Sequence, residues 1–321
     1  MVVQLAKREQ IKVPILLMGA SGSGKTLGSL LIAKGMIDEM FPKLSDEEKW
    51  AKIGVIDTEH SRSSLYVDTE HNGVRVGQFA QFKLSAPYNS ERYLGAFKEL
   101  KAFGCEVIII DGISNNWNDE GGVLAQADAN GGGMQGWSKV SGEQRNFLKL
   151  LTNEEVHVIA TVRTKQGIEV TTDDNGKVHV EKVGLKMEQK DSLEYEFAIA
   201  FQIYENHIAQ ATKDNSSIFK HPLKLTDDVG KKIVAWAEKG VDVRAEEKGR
   251  IIQAVKAIND LVGNDEARKK ELQRQMMARQ NAPLENWSLD NLKKLYVIVS
   301  KIQPVTTNTT KKDENTEKEG K

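Results

Sequence analysis

Eight consecutive residues, Gly19-Ala20-Ser21-Gly22-Ser23-Gly24-Lys25-Thr26, set glycines, a lysine and a hydroxyl in the pattern G-x-x-x-x-G-K-[ST]. Glycines let successive backbone N–H groups curl around one anion, the lysine adds positive charge, and the threonine offers a hard oxygen to a cation. This is chemistry for a phosphate chain. Lys25 is expected to reach the β- and γ-phosphates of ATP, and Thr26 to hold Mg²⁺. The flanks fit, because residues 13–18 are apolar and strand-like and residues 26–40 read as an amphipathic helix. The loop would then open onto a helix N-terminus, whose partial positive charge favours anions. A glycine-rich turn without a ligand is the competing reading, and the completeness of the pattern in this context weighs against it.

Two acids extend the pattern. Residues 105–110, Cys-Glu-Val-Ile-Ile-Ile, form an apolar strand that ends in Asp111, placed to support the Mg²⁺ shell. Residues 53–56 form a second strand, followed by Asp57-Thr58-Glu59-His60. In an open α/β sheet the carboxyl ends of the strands surround the ligand. Asp111 can therefore serve the metal while Glu59 orients or deprotonates the attacking water. A turn or helix-cap role for Asp111, and a solvated loop position for Glu59, are the structural alternatives. The loop by itself leaves hydrolysis, transfer to a substrate and switching open.

The elements that must hold these residues alternate short apolar runs with amphipathic stretches over 13–240, the mark of βα units around a mostly parallel sheet. Asn89 is suited to cap a helix that buries Tyr93, Leu94, Phe97 and Leu100. A helix is expected near 138–152, presenting Val140, Phe147, Leu148 and Leu151, and a strand over 156–162. Residues 168–170 and 177–183 flank Asp173-Asp174-Asn175-Gly176, a hairpin turn signal. Two late strands are expected over 195–203 and 207–212, then a helix opened by Thr226 and closed by Gly240. From 241 to 303 only helical periodicity remains, with Ile251, Val255, Ile258 and Val262 on one face and Leu292, Leu295, Tyr296, Val299 and Ile302 on another. The reading is an arm at 1–12, an α/β core at 13–240, a small helical module at 241–303 and a disordered tail at 304–321.

Composition narrows the class. The 321 residues are 39% hydrophobic and 28% charged, with 45 basic against 46 acidic side chains, so global charge gives no sign of a nucleic-acid partner. The apolar runs are strand-sized, so no span of a bilayer and no membrane partner are expected. The first residues lack the apolar run of a secretory leader. The single cysteine, Cys105, fits a reducing, cytoplasmic compartment. Six histidines at no ligand spacing give no zinc pattern.

The acidic strand end carries a family resemblance. Ile56-Asp57-Thr58-Glu59-His60 is similar to the Ile-Asp-Ala-Glu-His stretch of RecA recombinases, whose glutamate is the catalytic base. Tyr66 stands seven residues beyond Glu59, where RecA stacks a tyrosine on adenine. Ala160-Thr161-Val162-Arg163 occupies the place of RecA's phosphate-sensing glutamine and the arginine after it, which implies Thr161 and Arg163 at the nucleotide. Ala211-Thr212-Lys213-Asp214 stands where lysines reach the neighbouring subunit's nucleotide, which makes Lys213 the candidate for that contact. With Gly184-Leu185-Lys186 and Leu193-Glu194-Tyr195-Glu196-Phe197, the chain resembles phage-encoded RecA-like ATPases of the single-strand-annealing and recombination-mediator type. The resemblance covers roughly 13–240. It implies a RecA-like P-loop core, a homo-oligomer, action on single-stranded DNA beside a single-strand-binding protein or recombinase, and a place in the cytoplasm of an infected bacterium. The chain departs from RecA in carrying Thr161 where the sensor glutamine would stand, and no counterpart of RecA's separate C-terminal domain is visible.

Two segments lie where RecA-like proteins meet DNA. Residues 114–137 are expected as a mobile glycine-rich loop with Trp117 and Trp137 free to stack on bases, or else to pack on their own core. Residues 164–190 offer Lys165, Lys177, Lys182, Lys186 and Lys190, nearly balanced by acids. In the helical module Arg268, Lys269 and Lys270 alternate with Glu266 and Glu271, the pattern of a solvated helix face. A P-loop kinase and a nucleotide-gated adaptor that barely hydrolyses ATP are the competing functions.

Overall fold

The computed structural model describes residues 5–172 and 178–303, with 168–172 and 178–183 described by their backbone alone. The tail expected at 304–321, the turn at 173–176 and Lys177 lie outside the described residues. The chain divides into two compact units, one ending at Gly240 and the other starting at Val241.

The first unit is built on a mixed sheet. Its strands are β1 (Pro14–Gly19), β2 (Ile53–Asp57), β5 (Ala80–Lys83), β6 (Val107–Asp111), β7 (His157–Thr172), β8 (Val178–Met187), β9 (Ile199–Ile203) and β10 (Ala209–Asp214); β3 (Glu70–His71) and β4 (Val74–Arg75) form a separate two-stranded hairpin. The order is β10-β9-β1-β7-β6-β2-β5, with β8 paired to β7. From β9 to β5 every neighbour is parallel, while β10 and β8 pair antiparallel. The apolar runs are continuous because both sheet faces are covered. Ile15 and Leu17 point into one core and Leu16 and Met18 into the other.

Helices α1 (Lys25–Met40), α2 (Asp46–Ala51), α3 (Ser90–Phe103), α4 (Ser114–Asn118), α5 (Val123–Ala129), α6 (Gly133–Leu151) and α7 (Asp227–Ala237) complete the unit. Asn89 caps α3, its side chain accepting from the Arg92 N–H. The helix buries Tyr93, Ala96, Phe97 and Leu100, whereas Leu94 is exposed, one residue and about 100° off that stripe. The segment 114–137 is mostly helical rather than a loop. Tyr195 belongs to a short 3-10 turn, Leu193–Glu196, ahead of β9, and it is exposed. Thr226 precedes α7 without a side-chain cap bond, and α7 stops at Ala237, short of Gly240. The arm docks there: Ile11 N–H donates to the Ala237 carbonyl, and Arg8 donates to the Trp236 and Lys239 carbonyls at 2.8 and 2.7 Å.

The second unit has helices α8 (Val243–Val262), α9 (Glu266–Met277) and α10 (Leu289–Ser300). Asp242, Asp265 and Ser288 cap them. Val255, Ile258, Val262, Trp287, Leu292, Leu295 and Val299 form its own core. Tyr296, expected on that face, is exposed. Among the described residues no helix is long and apolar enough to cross a membrane.

Candidate active site

Strand register brings the chemistry together. Gly19 lies beside Arg163 across β1 and β7, Asp111 lies beside Thr161 across β6 and β7, and Asp57 lies beside Asp111 across β2 and β6. The parallel strands all end on this edge, and the glycine loop leads from β1 into α1 there. Gly22 and Gly24 take φ of 79° and 95°, conformations that side chains disfavour. Ser23 is buried, and its Oγ has no partner among the described residues.

Lys25 Nζ donates to the Gly19 and Ala20 carbonyls at 2.9 and 2.8 Å. Burial pulls its ammonium below the usual lysine range, and Glu59 and Asp111 partly offset that pull. Thr26 Oγ1 donates to Asp111 Oδ2 at 2.9 Å. Burial raises the Asp111 carboxyl to about 6, against hydrogen bonds from the Thr161 and Thr26 hydroxyls that favour its charged form.

Glu59 is paired. Arg163 Nε and Nη2 donate to its Oε1 at 3.0 and 2.8 Å, and Arg62 Nη1 stands 3.6 Å from Oε2. The Arg163 guanidinium is held above its usual range: burial works against it, and the hydrogen bond and charge of Glu59 outweigh that. Beneath Glu59, Asp57 is the residue that sequence reasoning left without a role. Its carboxylate accepts from the N–H groups of Glu59, Ser61 and Ser63, from Ser63 Oγ and from Gln81 Nε2. That set ties down a turn in which His60 and Ser61 adopt φ of 59° and 64°. Its signal was available, since an aspartate followed by small polar residues is a side-chain turn former.

Lys25, Thr26, Glu59, Arg62 and Arg163 open onto one cavity of about 280 Å³. Ser21, Gly22, Gly24, Lys25 and Thr26 line one side, and Glu59, Arg62, Tyr66 and Arg163 line the other. His207, which sequence reasoning missed, also lines it. Six expected residues do not: Gly19, Ala20, Ser23, Asp111, Thr161 and Lys213. Thr161 is buried behind Asp111: its hydroxyl donates to Asp111 Oδ1 at 2.6 Å and accepts from the Gly112 N–H, so it orients the carboxylate rather than facing the cavity. Lys213 lies on β10, outside the cavity lining, and donates to the Tyr195 carbonyl. Trp117 on α4 and Trp137 on α6, read as either free to stack on bases or packed on their own core, pair with each other, with ring centroids 5.8 Å apart.

The family model of the AAA domain matches residues 11–222, about two thirds of the chain. The chain belongs to the AAA domain family. The match contains the glycine loop, both acidic strand ends and β10, and with it come the nucleotide binding and NTP hydrolysis of P-loop proteins. No curated protein matches the chain. The AAA assignment is coarser than the resemblance drawn from the sequence: it gives a P-loop NTPase core with a mixed sheet, followed by C-terminal helices, and carries no mark of RecA or of a phage.

Proposed function

We propose that this AAA domain is a Mg²⁺-dependent ATPase of RecA-like type that acts on single-stranded DNA in phage recombination or replication. The observation that carries the ATPase reading is the convergence of Lys25, Thr26, Glu59, Asp111 and Arg163 on one sheet edge. The donor set fits a hard cation, because Thr26 Oγ1 and Asp111 Oδ2 adjoin at 2.9 Å where the glycine loop enters α1. When bound there, Mg²⁺ would neutralise phosphate charge and polarise the terminal phosphoryl group. Thr26 and Asp111 would hold it, with Thr161 fixing the carboxylate from behind. Lys25, already stripped of most water, exchanges two carbonyl partners for phosphate oxygens. Tyr66 offers an aromatic wall for adenine. Glu59 orients water, and Arg163, which holds it in this arrangement, is positioned to trade it for a phosphate oxygen. Lys25→Ala is expected to lose ATP binding, while Glu59→Gln keeps binding and loses turnover. Wild-type turnover in Glu59→Gln would remove Glu59 from the mechanism.

The DNA reading is supported by a second surface. Trp117 lines a cavity of about 580 Å³ with Lys165, Lys186 and Lys190, a pairing of stacking surface and cations suited to a single strand. Glu188 and Asp191 offset part of that charge, at 3.8 Å from Lys165 and 3.0 Å from Lys186. Lys213, half-buried on β10, is our candidate for reaching a neighbouring copy's nucleotide in a homo-oligomer, and a single-strand-binding protein or recombinase is the proposed partner. ATPase rate with and without single-stranded DNA, at low and moderate salt, tests this. Stimulation that fades with salt supports it, and no stimulation at any salt removes it.

A further inference from the structure

We infer that His207 positions the phosphate loop by fixing the direction of the Gly24 N–H. The assignment rests on the nucleotide reading above and deepens it. His207 belongs to no sequence pattern. It sits in the turn between β9 and β10, closed by the Tyr204 N–H donating to the Ile208 carbonyl and the His207 N–H donating to the Tyr204 carbonyl, both at 2.9 Å. Its own φ is +62°, a left-handed conformation rarely taken by residues other than glycine, asparagine and aspartate.

That turn aims the ring at the phosphate loop. His207 Nδ1 lies 3.0 Å from the Ser23 carbonyl oxygen. A carbonyl only accepts, so Nδ1 carries the proton and donates. The trans peptide is planar, so the Ser23 carbonyl and the Gly24 N–H point in opposite directions. Holding the carbonyl against the β9–β10 turn turns the Gly24 N–H the other way. No described residue accepts from that N–H, whereas the Ser23 N–H is already taken by the Ala20 carbonyl at 3.2 Å. Gly24 lines the cavity, and its φ of +95° leaves the peptide free to rotate unless something outside the loop restrains it. His207 supplies that restraint. The ring packs close enough that a methyl group at Gly24 would lie 3.3 Å from Nδ1.

Two substitutions separate the ring's hydrogen bond from its backbone. His207→Gly removes the side chain and suits the left-handed φ. His207→Asn also tolerates that φ and keeps a donor at the δ position. The probe is a fluorescent ATP analogue titrated with Mg²⁺, followed by steady-state turnover, on the full chain. His207→Gly is expected to weaken binding by about five- to tenfold, the loss of one positioned hydrogen bond. His207→Asn is expected to stay within about twofold of wild type. The loss should appear in Kd and KM, with kcat at saturation nearly unchanged, because the loop grips ground and transition states alike. Wild-type affinity in His207→Gly would overturn the assignment. So would a His207→Asn variant as weak as His207→Gly. Absence of binding by the wild-type chain would remove the nucleotide reading itself, whereas normal wild-type binding abolished by Lys25→Ala leaves that reading intact and the histidine alone under test.

Discussion

Asp57 and Asp111 end adjacent strands in register, yet the surroundings set them to opposite tasks. Asp111 meets the hydroxyls of Thr26 and Thr161 and is the carboxylate we propose for the cation, while Asp57 is saturated by backbone N–H groups and spends itself on the turn that carries Glu59. Hydrogen bonds to a buried charge contribute about 1.5–3 kcal/mol each when removed singly. Asp57→Asn keeps the shape but loses part of that set. It is expected to cost about 2 kcal/mol of stability in urea unfolding and to lower kcat about tenfold with ATP affinity kept; an unchanged kcat would show that the turn does not position Glu59. His157 gives a prediction in pH. It is buried in β7, accepts at Nδ1 from the Val13 N–H at 3.1 Å, and burial, aided by Lys12, lowers its pKa to about 3. The unfolded chain takes up a proton near pH 6.5 and the folded chain does not. Stability from the neutral ring is therefore complete above about pH 6.5 and is lost as pH falls from there toward 3, at about 1.4 kcal/mol per pH unit. In urea titrations from about pH 7 to about 4.5, His157→Asn should show a slope flatter by that amount, and parallel slopes would refute the assignment. Much of this scale was legible beforehand. The glycine loop, Lys25, Thr26, Glu59 and Asp111 declare themselves because their chemistry is tied to short local spacing. Thr161 and His207 did not, because what they do depends on partners 50 and 184 residues away in hydrogen bonds that only the fold creates, whereas Asp57, most of whose partners lie two to six residues on, was open to a local reading.

At the scale of elements, the apolar pattern located β1, β2, β6 and the start of β7, since a strand buried on both faces leaves an uninterrupted apolar run, and it missed β5, whose partly exposed Ala80-Gln81-Phe82-Lys83 leaves none. It failed over 114–137, where glycines read as loop residues open helices instead: Gly122 precedes α5 and Gly132 precedes α6. The crossing of α1 and α7 was equally hidden. A methyl at Gly35 would lie 1.8 Å from the Asp227 carbonyl oxygen, and one at Gly230 would lie 2.0 Å from that of Ile32. The two helix backbones touch there, so neither glycine can be replaced without moving an element of the core. Helix propensity favours Gly→Ala by about 1 kcal/mol, and a clash with backbone outweighs it. Gly230→Ala is expected to destabilise by about 2–3 kcal/mol. Gly95→Ala, on the exposed side of α3 with open space around the new methyl, is expected to stabilise by up to about 1 kcal/mol. Urea midpoints of the pair decide it, and a Gly230→Ala midpoint at or above that of wild type would mean that the crossing is looser than a backbone contact.

At the scale of the molecule, the change from alternating to purely helical periodicity near 241 coincides with the start of the second compact unit. That unit's core is small, and domains of this size are marginal. Trp287 dominates it: the ring is buried, Nε1 donates to the Ala282 carbonyl at 3.1 Å, and the Arg279 guanidinium stands 4.3 Å from the ring centroid. Truncating such a residue costs about 3–5 kcal/mol, comparable to all the stability a module of this size commands. Trp287→Ala is therefore expected to abolish the helical unit's own unfolding transition in calorimetry. The residues proposed to bind ATP all precede Gly240, so ATP affinity should stay within about twofold of wild type. If the variant instead lowered the main transition and weakened ATP binding together, the helical unit would be part of the nucleotide machinery, and the division at Gly240 would mark a boundary of chain contacts without marking one of energy.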